Sequence, residues 1–270
     1  METEQIVLLA LVQGITEFLP ISSSGHLILT PLLFGYALQG LAFDVAVHLG
    51  TLLAVIGYFR REVTAMAGAA AAGLLRREAS PEAHLAGMLG LATLPVVVLG
   101  LPLKGLLEGL RADAHLIALI VASTTIGFGA LLWWADARGR RNRDESGIGW
   151  REALIIGLLQ ALAIFPGTSR SGITITGGLL LGLTRRAASR FSFLLAIPTI
   201  LMAGALETLD LVQSTETVDW RALWLGSAVS FVVAYLTIHF FLRFIERVSM
   251  LPFVLYRFLL GGAILFLLYL

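Results

Sequence analysis

Apolar runs separated by short polar interruptions dominate the chain, and their lengths set the first expectation. A helix needs about twenty mostly apolar residues to cross the hydrocarbon core of a bilayer. Six runs meet that requirement: Leu41 to Phe59, Leu85 to Leu103, Leu116 to Trp134, Phe191 to Leu211, Ala222 to Leu242 and Leu251 to Leu270. Two further segments, residues 3–39 and 152–184, are also apolar but are broken by Pro, Gly and Ser. The pattern predicts an all-α, polytopic helical membrane protein with about six full spans and two helical hairpins.

Lys and Arg in short loops mark the cytoplasmic side. Arg60, Arg61, Arg76 and Arg77 follow the first span; Arg138, Arg140, Arg141, Arg143 and Arg151 follow the third; Arg185, Arg186 and Arg190 precede the fourth. The connections around Lys104 and Arg111, and from Asp210 through Glu216 to Arg221, are poor in positive charge or acidic. With the basic loops inside, the segment before Leu41 enters and returns from the outside. The segment from Glu152 to Thr184 enters and returns from the cytoplasm, as two short spans or as a re-entrant hairpin.

The two hairpin segments also match in sequence. One offset of 147 positions pairs Gln13 with Gln160, Phe18 with Phe165, Ser22 with Ser169, Ser24 with Ser171 and Gly25 with Gly172. An offset of 148 continues the match, more weakly, through Phe43 with Phe191 and Thr51 with Thr199. Copies that enter from opposite faces form an inverted-topology repeat, which places broken helices and a binding site near the bilayer midplane. The expected organisation is a first repeat over 1–135, a cytoplasmic basic loop over 136–151, and a second repeat over 152–270.

Composition narrows the chemistry. A mean hydropathy of +0.87 with 14% charged residues lies far from a soluble domain. The net charge of +1 argues against a nucleic-acid partner, and the absence of cysteine removes thiolate metal sites and disulfides. The acidic start Met1-Glu2-Thr3-Glu4 lacks the positive region of a cleaved signal peptide, so the first apolar stretch is expected to remain.

Polar residues concentrate at the hairpin tips. The first reads Gln13-Gly14-Ile15-Thr16-Glu17-Phe18-Leu19-Pro20-Ile21-Ser22-Ser23-Ser24-Gly25-His26. Gln13 and Glu17 share one helical face, and Pro20 with Gly25 is expected to break the helix before another starts near His26. The second tip reads Phe165-Pro166-Gly167-Thr168-Ser169-Arg170-Ser171-Gly172, with an apolar helix expected from Ile173 to Leu183. A central Arg costs about 2.5–3.5 kcal/mol to insert even on lenient scales, so Arg170 is expected to face a cavity and a partner. Its guanidinium suits a phosphate, as do N–H groups at a helix start. The inventory fits phosphoryl transfer. A serine attacks phosphorus, His26 takes its proton, Arg170 and helix N-termini hold the charged oxygens, and Glu17 with Gln13 holds a divalent cation.

The stretches Gln13 to His26, Phe43 to Thr51 and Pro166 to Gly172 resemble the undecaprenyl-diphosphate phosphatase family linked to bacitracin resistance, and length and hydropathy match over essentially the whole chain. The resemblance implies a metal-dependent integral membrane phosphatase, using Mg2+ or Ca2+. It would hydrolyse undecaprenyl diphosphate to undecaprenyl phosphate and inorganic phosphate in the bacterial plasma membrane, recycling the lipid carrier for cell-wall synthesis. Its two inverted halves would meet at a site open to the outer, periplasmic face. It implies Glu17 in the acidic motif, Ser23 as nucleophile, His26 as catalytic histidine and Arg170 as phosphate ligand. Gln13 departs from members with a second glutamate there, which removes one negative charge from the metal site.

Simpler roles stand beside these. Serines near Gly and Pro commonly cap helices, so Ser22, Ser24, Ser169 and Ser171, with Gly167, are expected either as phosphate ligands or as backbone supports. Asp44 and His48 are expected as an intrahelical pair supporting the site, and Gly178 with Gly182 as a close-packing surface. Trp133, Trp134, Trp150, Trp220 and Trp224 fall near predicted helix ends, as an aromatic belt would. A polyprenyl-phosphate flippase built on the same scaffold is the rival function. The oligomeric state stays open, a homodimer included.

Overall fold

The computed structural model describes residues 1–76, 80–111, 114–213 and 219–270. Among them the chain is helical throughout, with eleven α-helices and no named strand. Short helices α1 (Thr3–Thr16) and α2 (Ser23–Phe34) are followed by α3 (Leu41–Tyr58), α4 (Arg60–Arg76), α5 (Pro81–Arg111) and α6 (Ala114–Arg138). The order then recurs without a counterpart of α4: short α7 (Trp150–Ala161) and α8 (Arg170–Leu180), then α9 (Arg185–Gln213), α10 (Trp220–Ile245) and α11 (Leu251–Leu268).

Among the described residues six helices are long and apolar enough to cross a membrane, over Leu41–Tyr58, Pro81–Gly100, His115–Arg138, Arg185–Gln213, Trp220–Ile245 and Leu251–Leu268, matching the six predicted runs. The protein is a multi-pass membrane protein. Helix α4 was not expected; its Ala-rich sequence has high intrinsic helix propensity, and Met66 anchors it on the core. The short helices start earlier than the hydropathy pattern suggested. α2 begins at Ser23, so Gly25 lies inside its first turn, and α8 begins at Arg170, because serine and arginine are compatible with a helix start while carrying no apolar signal.

Close approach of helices fixes the frame. In lipid such contacts are held by van der Waals packing rather than by exclusion of water. Helix α1 packs on α10 and α7 packs on α5. A Cβ at Gly14 would lie 2.7 Å from the Val233 Cβ, and one at Gly157 would collide with the Ala92 carbonyl. Gly178 seats α8 against Ala188 of α9, as the small-residue pattern predicted, whereas Gly182 instead turns the chain out of α8 at φ 89°. A string of aromatic contacts, Phe18 to Phe193 at 5.2 Å, Phe193 to Phe241 at 5.6 Å and Phe241 to Phe253 at 5.4 Å, runs from the first hairpin tip to α11.

The basic loops gather at one end of the bundle, where acids tie them together. Arg185 grips Asp136 at 2.5 and 3.1 Å, and the same carboxylate accepts the Met250 N–H. Arg190 reaches Glu145 at 2.6 Å, and Arg186 pairs with Glu246. Arg143 meets both oxygens of Glu152, at 2.6 and 3.0 Å, and its hydrogen bonds hold that carboxyl below the ordinary carboxylate range. At another face the N-terminal amine lies 3.5 Å from Asp219, and Arg221 donates to Thr3. The grouping follows the charge pattern of the loops. All five Trp side chains are exposed, from 49% to 75%, as a lipid-facing belt requires.

Candidate active site

The two broken segments present their tips to each other. After α1, Pro20 cannot continue a helix, and the chain turns through Glu17–Ile21 to Ser22, which adopts φ 74°, ψ 94°. After α7 the chain turns through Pro166 and Gly167 to Ser169, at φ 67°, ψ 110°. Among the described residues only three other than glycine have positive φ, and two of them are this pair, 147 positions apart. Each strained serine faces a second one, Ser22 Oγ to Ser24 Oγ at 3.4 Å and Ser169 Oγ to Ser171 Oγ at 3.3 Å. Such strain, about 1–3 kcal/mol at each residue, persists only where the surroundings enforce it. Gly167, at φ 85°, lies so close to α6 that a Cβ would strike Thr124, Thr125 and the Val121 carbonyl.

Glu17 is the hub. Its Oε1 accepts from Arg170 Nη2 at 2.8 Å, and its Oε2 accepts from Ser23 Oγ at 2.7 Å and from Gln13 Nε2 at 3.1 Å. His48 Nε2 stands 3.8 Å from the same oxygen. Arg170 also donates to the Ser192 carbonyl at 3.1 Å, and its guanidinium lies over the Phe18 ring. An acid and a base this buried are each costly alone, so the ion pair stabilises both. Gln13 is fully buried, and its Oε1 has no hydrogen-bond partner.

A cavity of about 230 Å³ opens beside this cluster. Glu17, the three successive serines, Ser169, Arg170 and His48 form its polar wall; Ala163, Ile200, Ala203 and Gly204 form an apolar one, with Glu207 at the α9 side. α2 starts at this cavity with no side-chain cap, and α8 starts at it with Ser169 as its cap, so backbone N–H groups point to the place an anion would occupy. Gly25 and Gly172 lie in the first turns of these helices, and Ser171 Oγ donates to the Leu19 carbonyl, joining the tips.

The structure therefore brings together Gln13, Glu17, Ser22, Ser23, Ser24, Ser169 and Arg170. His26 lies elsewhere: its ring sits between the Ser22 carbonyl and the Tyr256 hydroxyl, and it is not among the described residues that line the cavity. Asp44 and His48 do not pair through their side chains. His48 Nδ1 donates to the Asp44 carbonyl, and the Asp44 carboxylate accepts from Gln39 instead. His48 thus belongs to the site itself, because the intrahelical bond aims its other nitrogen at Glu17.

Arg257 escaped the sequence reading. It is 1% exposed and donates to the carbonyls of Pro20, Thr124, Thr125, Gly167 and Thr168, at 3.0 to 3.3 Å. One side chain of α11 thereby fastens both tips to each other and to α6. The available signal was a lone charge inside the last apolar run, the same criterion that singled out Arg170.

A family profile described as Bacitracin resistance protein BacA matches residues 6–263. The chain is 54% identical over 268 residues to Undecaprenyl-diphosphatase 2 of Stutzerimonas stutzeri (strain A1501), covering 98% of each. It is 56% identical over 268 residues to Undecaprenyl-diphosphatase of Nitrosococcus oceani, covering 99% of each, and 52% identical over 261 residues to the protein of that name from Alteromonas mediterranea, covering 97% of each.

Proposed function

The chain belongs to the bacitracin resistance protein BacA family, and from that premise we propose how its own residues carry out the reaction of an undecaprenyl-diphosphatase. The protein is a membrane phosphatase that hydrolyses undecaprenyl diphosphate. The observation that carries the mechanism is the hydrogen bond from Ser23 Oγ to Glu17 Oε2, at 2.7 Å. A nucleophilic hydroxyl needs a base within about 2.6–3.2 Å, and Glu17 is that base.

In this reading the terminal phosphate enters between the N-termini of α2 and α8, and Arg170 exchanges Glu17 for phosphate oxygens. Ser23 attacks phosphorus as its proton passes to Glu17, and undecaprenyl phosphate leaves, taking that proton from Glu17. Water then cleaves the phosphoserine: Glu17, again a carboxylate, takes the proton of the attacking water and hands it to the Ser23 oxygen as the P–O bond breaks, and inorganic phosphate departs. Ser22, Ser24, Ser169 and Ser171 offer hydroxyls to the phosphate or to the strained backbone. Gly167 lets the second tip lie against α6.

Gln13 and Glu17 would suit a divalent cation, Mg2+ or Ca2+, as an open pair of oxygen ligands and not as a closed cage. Among the described residues no group of three acidic or imidazole side chains could hold a metal by itself. Gln13 Oε1, buried and unpartnered, and Glu17, once released by Arg170, are the two oxygen ligands on offer. A cation there would neutralise charge on the diphosphate, and hard cations often combine one or two protein oxygens with substrate phosphates.

Placement of the site supports periplasmic access in the bacterial inner membrane. Its cavity lies along the later part of α9, from Thr199 to Glu207, away from the basic end at Arg185. The matched serines at Ser22 and Ser169, and the exchanged packing of α1 on α10 and α7 on α5, support two inverted repeats with re-entrant hairpins at 3–39 and 152–184. The basic loop over 136–151 joins them.

The test is phosphate release from a polyprenyl diphosphate by protein purified in detergent with Mg2+. Ser23→Ala is expected to abolish it, and acid quenching of the wild-type reaction to trap phosphoserine. Turnover by Ser23→Ala at the wild-type rate would overturn the nucleophile; a flippase would release no phosphate at all.

A further inference from the structure

The two tips share a backbone shape but hold their strained serines differently. In the second, the Ser169 carbonyl accepts from Ile173 N at 2.9 Å, and Ser169 Oγ accepts from Gly172 N at 3.2 Å. In the first, the matching backbone bond, from His26 N to the Ser22 carbonyl, is stretched to 3.4 Å, and Ser22 makes no side-chain cap. His26 occupies the repeat position of Ile173. Its ring supplies what the first tip lacks, with Nδ1 2.7 Å from the Ser22 carbonyl oxygen.

A carbonyl can only accept, so Nδ1 carries the hydrogen and Nε2 is left as the acceptor. The Tyr256 hydroxyl, on α11, lies 2.5 Å from Nε2 and donates to it, with the two rings stacked at 5.6 Å and 13°. Both nitrogens are thereby engaged, and neither meets Ser23, whose hydroxyl already donates to Glu17.

We infer that His26 is a positioning residue, not the proton acceptor: its Nδ1–H clamps the Ser22 carbonyl so that Ser23 is presented to Glu17, and Tyr256 fixes the tautomer in which it does so. The inference rests on the phosphatase reading above and refines the part that His26 plays in it.

Two amides separate the roles. The Asn side chain places an N–H near the position of Nδ1, whereas Gln reaches toward Nε2 and leaves the Ser22 carbonyl unclamped. In the phosphate-release assay, His26→Asn is expected to keep kcat within about tenfold of wild type, while His26→Gln and His26→Ala fall about a hundredfold, as for a nucleophile displaced by about an ångström. Tyr256→Phe, which frees the tautomer without disturbing the stack, is expected to lower kcat about three- to tenfold with KM unchanged. Thermal midpoints in detergent are expected to follow the same order, Asn above Gln, and need no turnover. His26→Asn as inactive as His26→Gln in folded protein, or Tyr256→Phe at full kcat, would overturn the inference and leave the phosphatase standing. If wild-type protein released no phosphate, that reading would fail, and the stability order would still decide the role of His26.

Discussion

Replacing Arg257 with Met removes the clasp while keeping most of the side chain's volume. Five carbonyl contacts are lost, and hydrogen bonds to a charged group contribute about 1.5–3 kcal/mol each. Their sum overstates the effect, because the tips can relax and the burial cost of the cation disappears with it. Each buried carbonyl left without a donor costs about 1–3 kcal/mol, so with partial relaxation of the five the loss should be about 3–5 kcal/mol in all. At about 2–4 °C for each kcal/mol, the thermal midpoint in detergent should fall by roughly 10 °C. Activity should suffer more, because the Pro20 carbonyl and the Gly167 and Thr168 carbonyls belong to opposite halves of the site. A displacement of about 1 Å between reacting groups costs on the order of a hundredfold in rate. Arg257→Lys, with three donors on a compact head, should fall between. Differential scanning fluorimetry paired with phosphate release measures both quantities. An Arg257→Met protein with the wild-type midpoint and rate would refute the clasp.

Gln13→Glu adds a carboxylate beside Glu17 and should lower the Mg2+ concentration for half-maximal rate by about tenfold, since ligand charge tunes the affinity of hard-cation sites; excess chelator should stop the wild-type enzyme, and full turnover in chelator would remove the cation from the site. Arg170→Lys keeps the charge but loses bidentate contact with phosphate and the second bond to Ser192, so kcat/KM should fall about a hundredfold; an unchanged value would mean that Arg170 serves only to neutralise Glu17. A cysteine at Asp219 should react with an impermeant thiol reagent from outside and one at Arg140 should not; the reverse pattern would invert the orientation.

Much of this architecture was legible because a bilayer constrains sequence more tightly than water does. The six spans follow from length and apolarity, and the pairing of the tips follows from one offset that the matched backbone of Ser22 and Ser169 repeats. Gln13, Glu17 and Arg170 were named from type and spacing, Ser23 only from the family resemblance, and the four meet. What sequence could not carry was long-range contact. The imidazole of His26 lies next to the serines in sequence, yet its partner Tyr256 is 230 positions away. His48 looked like a companion to Asp44 because a four-residue spacing suggests a side-chain pair, whereas the helix carbonyl competes for that nitrogen. Arg257 sits in an otherwise apolar run, and only the folded chain brings carbonyls from three other segments around it. The connections near Arg77, Asp113 and Glu216 fall outside the described residues.

Arg257 has an electrostatic consequence apart from its hydrogen bonds. Glu17 neutralises Arg170, so the pair on the cavity wall carries no net charge. Carbonyl oxygens solvate the guanidinium of Arg257 but leave its full unit of positive charge, and among the described residues no carboxylate pairs with it. The standing field beneath both loops, in a medium too poor in water to screen it, therefore draws a full unit of positive charge from a side chain that is 1% exposed. A membrane enzyme that draws a polyanion out of the headgroup layer can keep its attractive charge behind the backbone and its reactive groups in front of it.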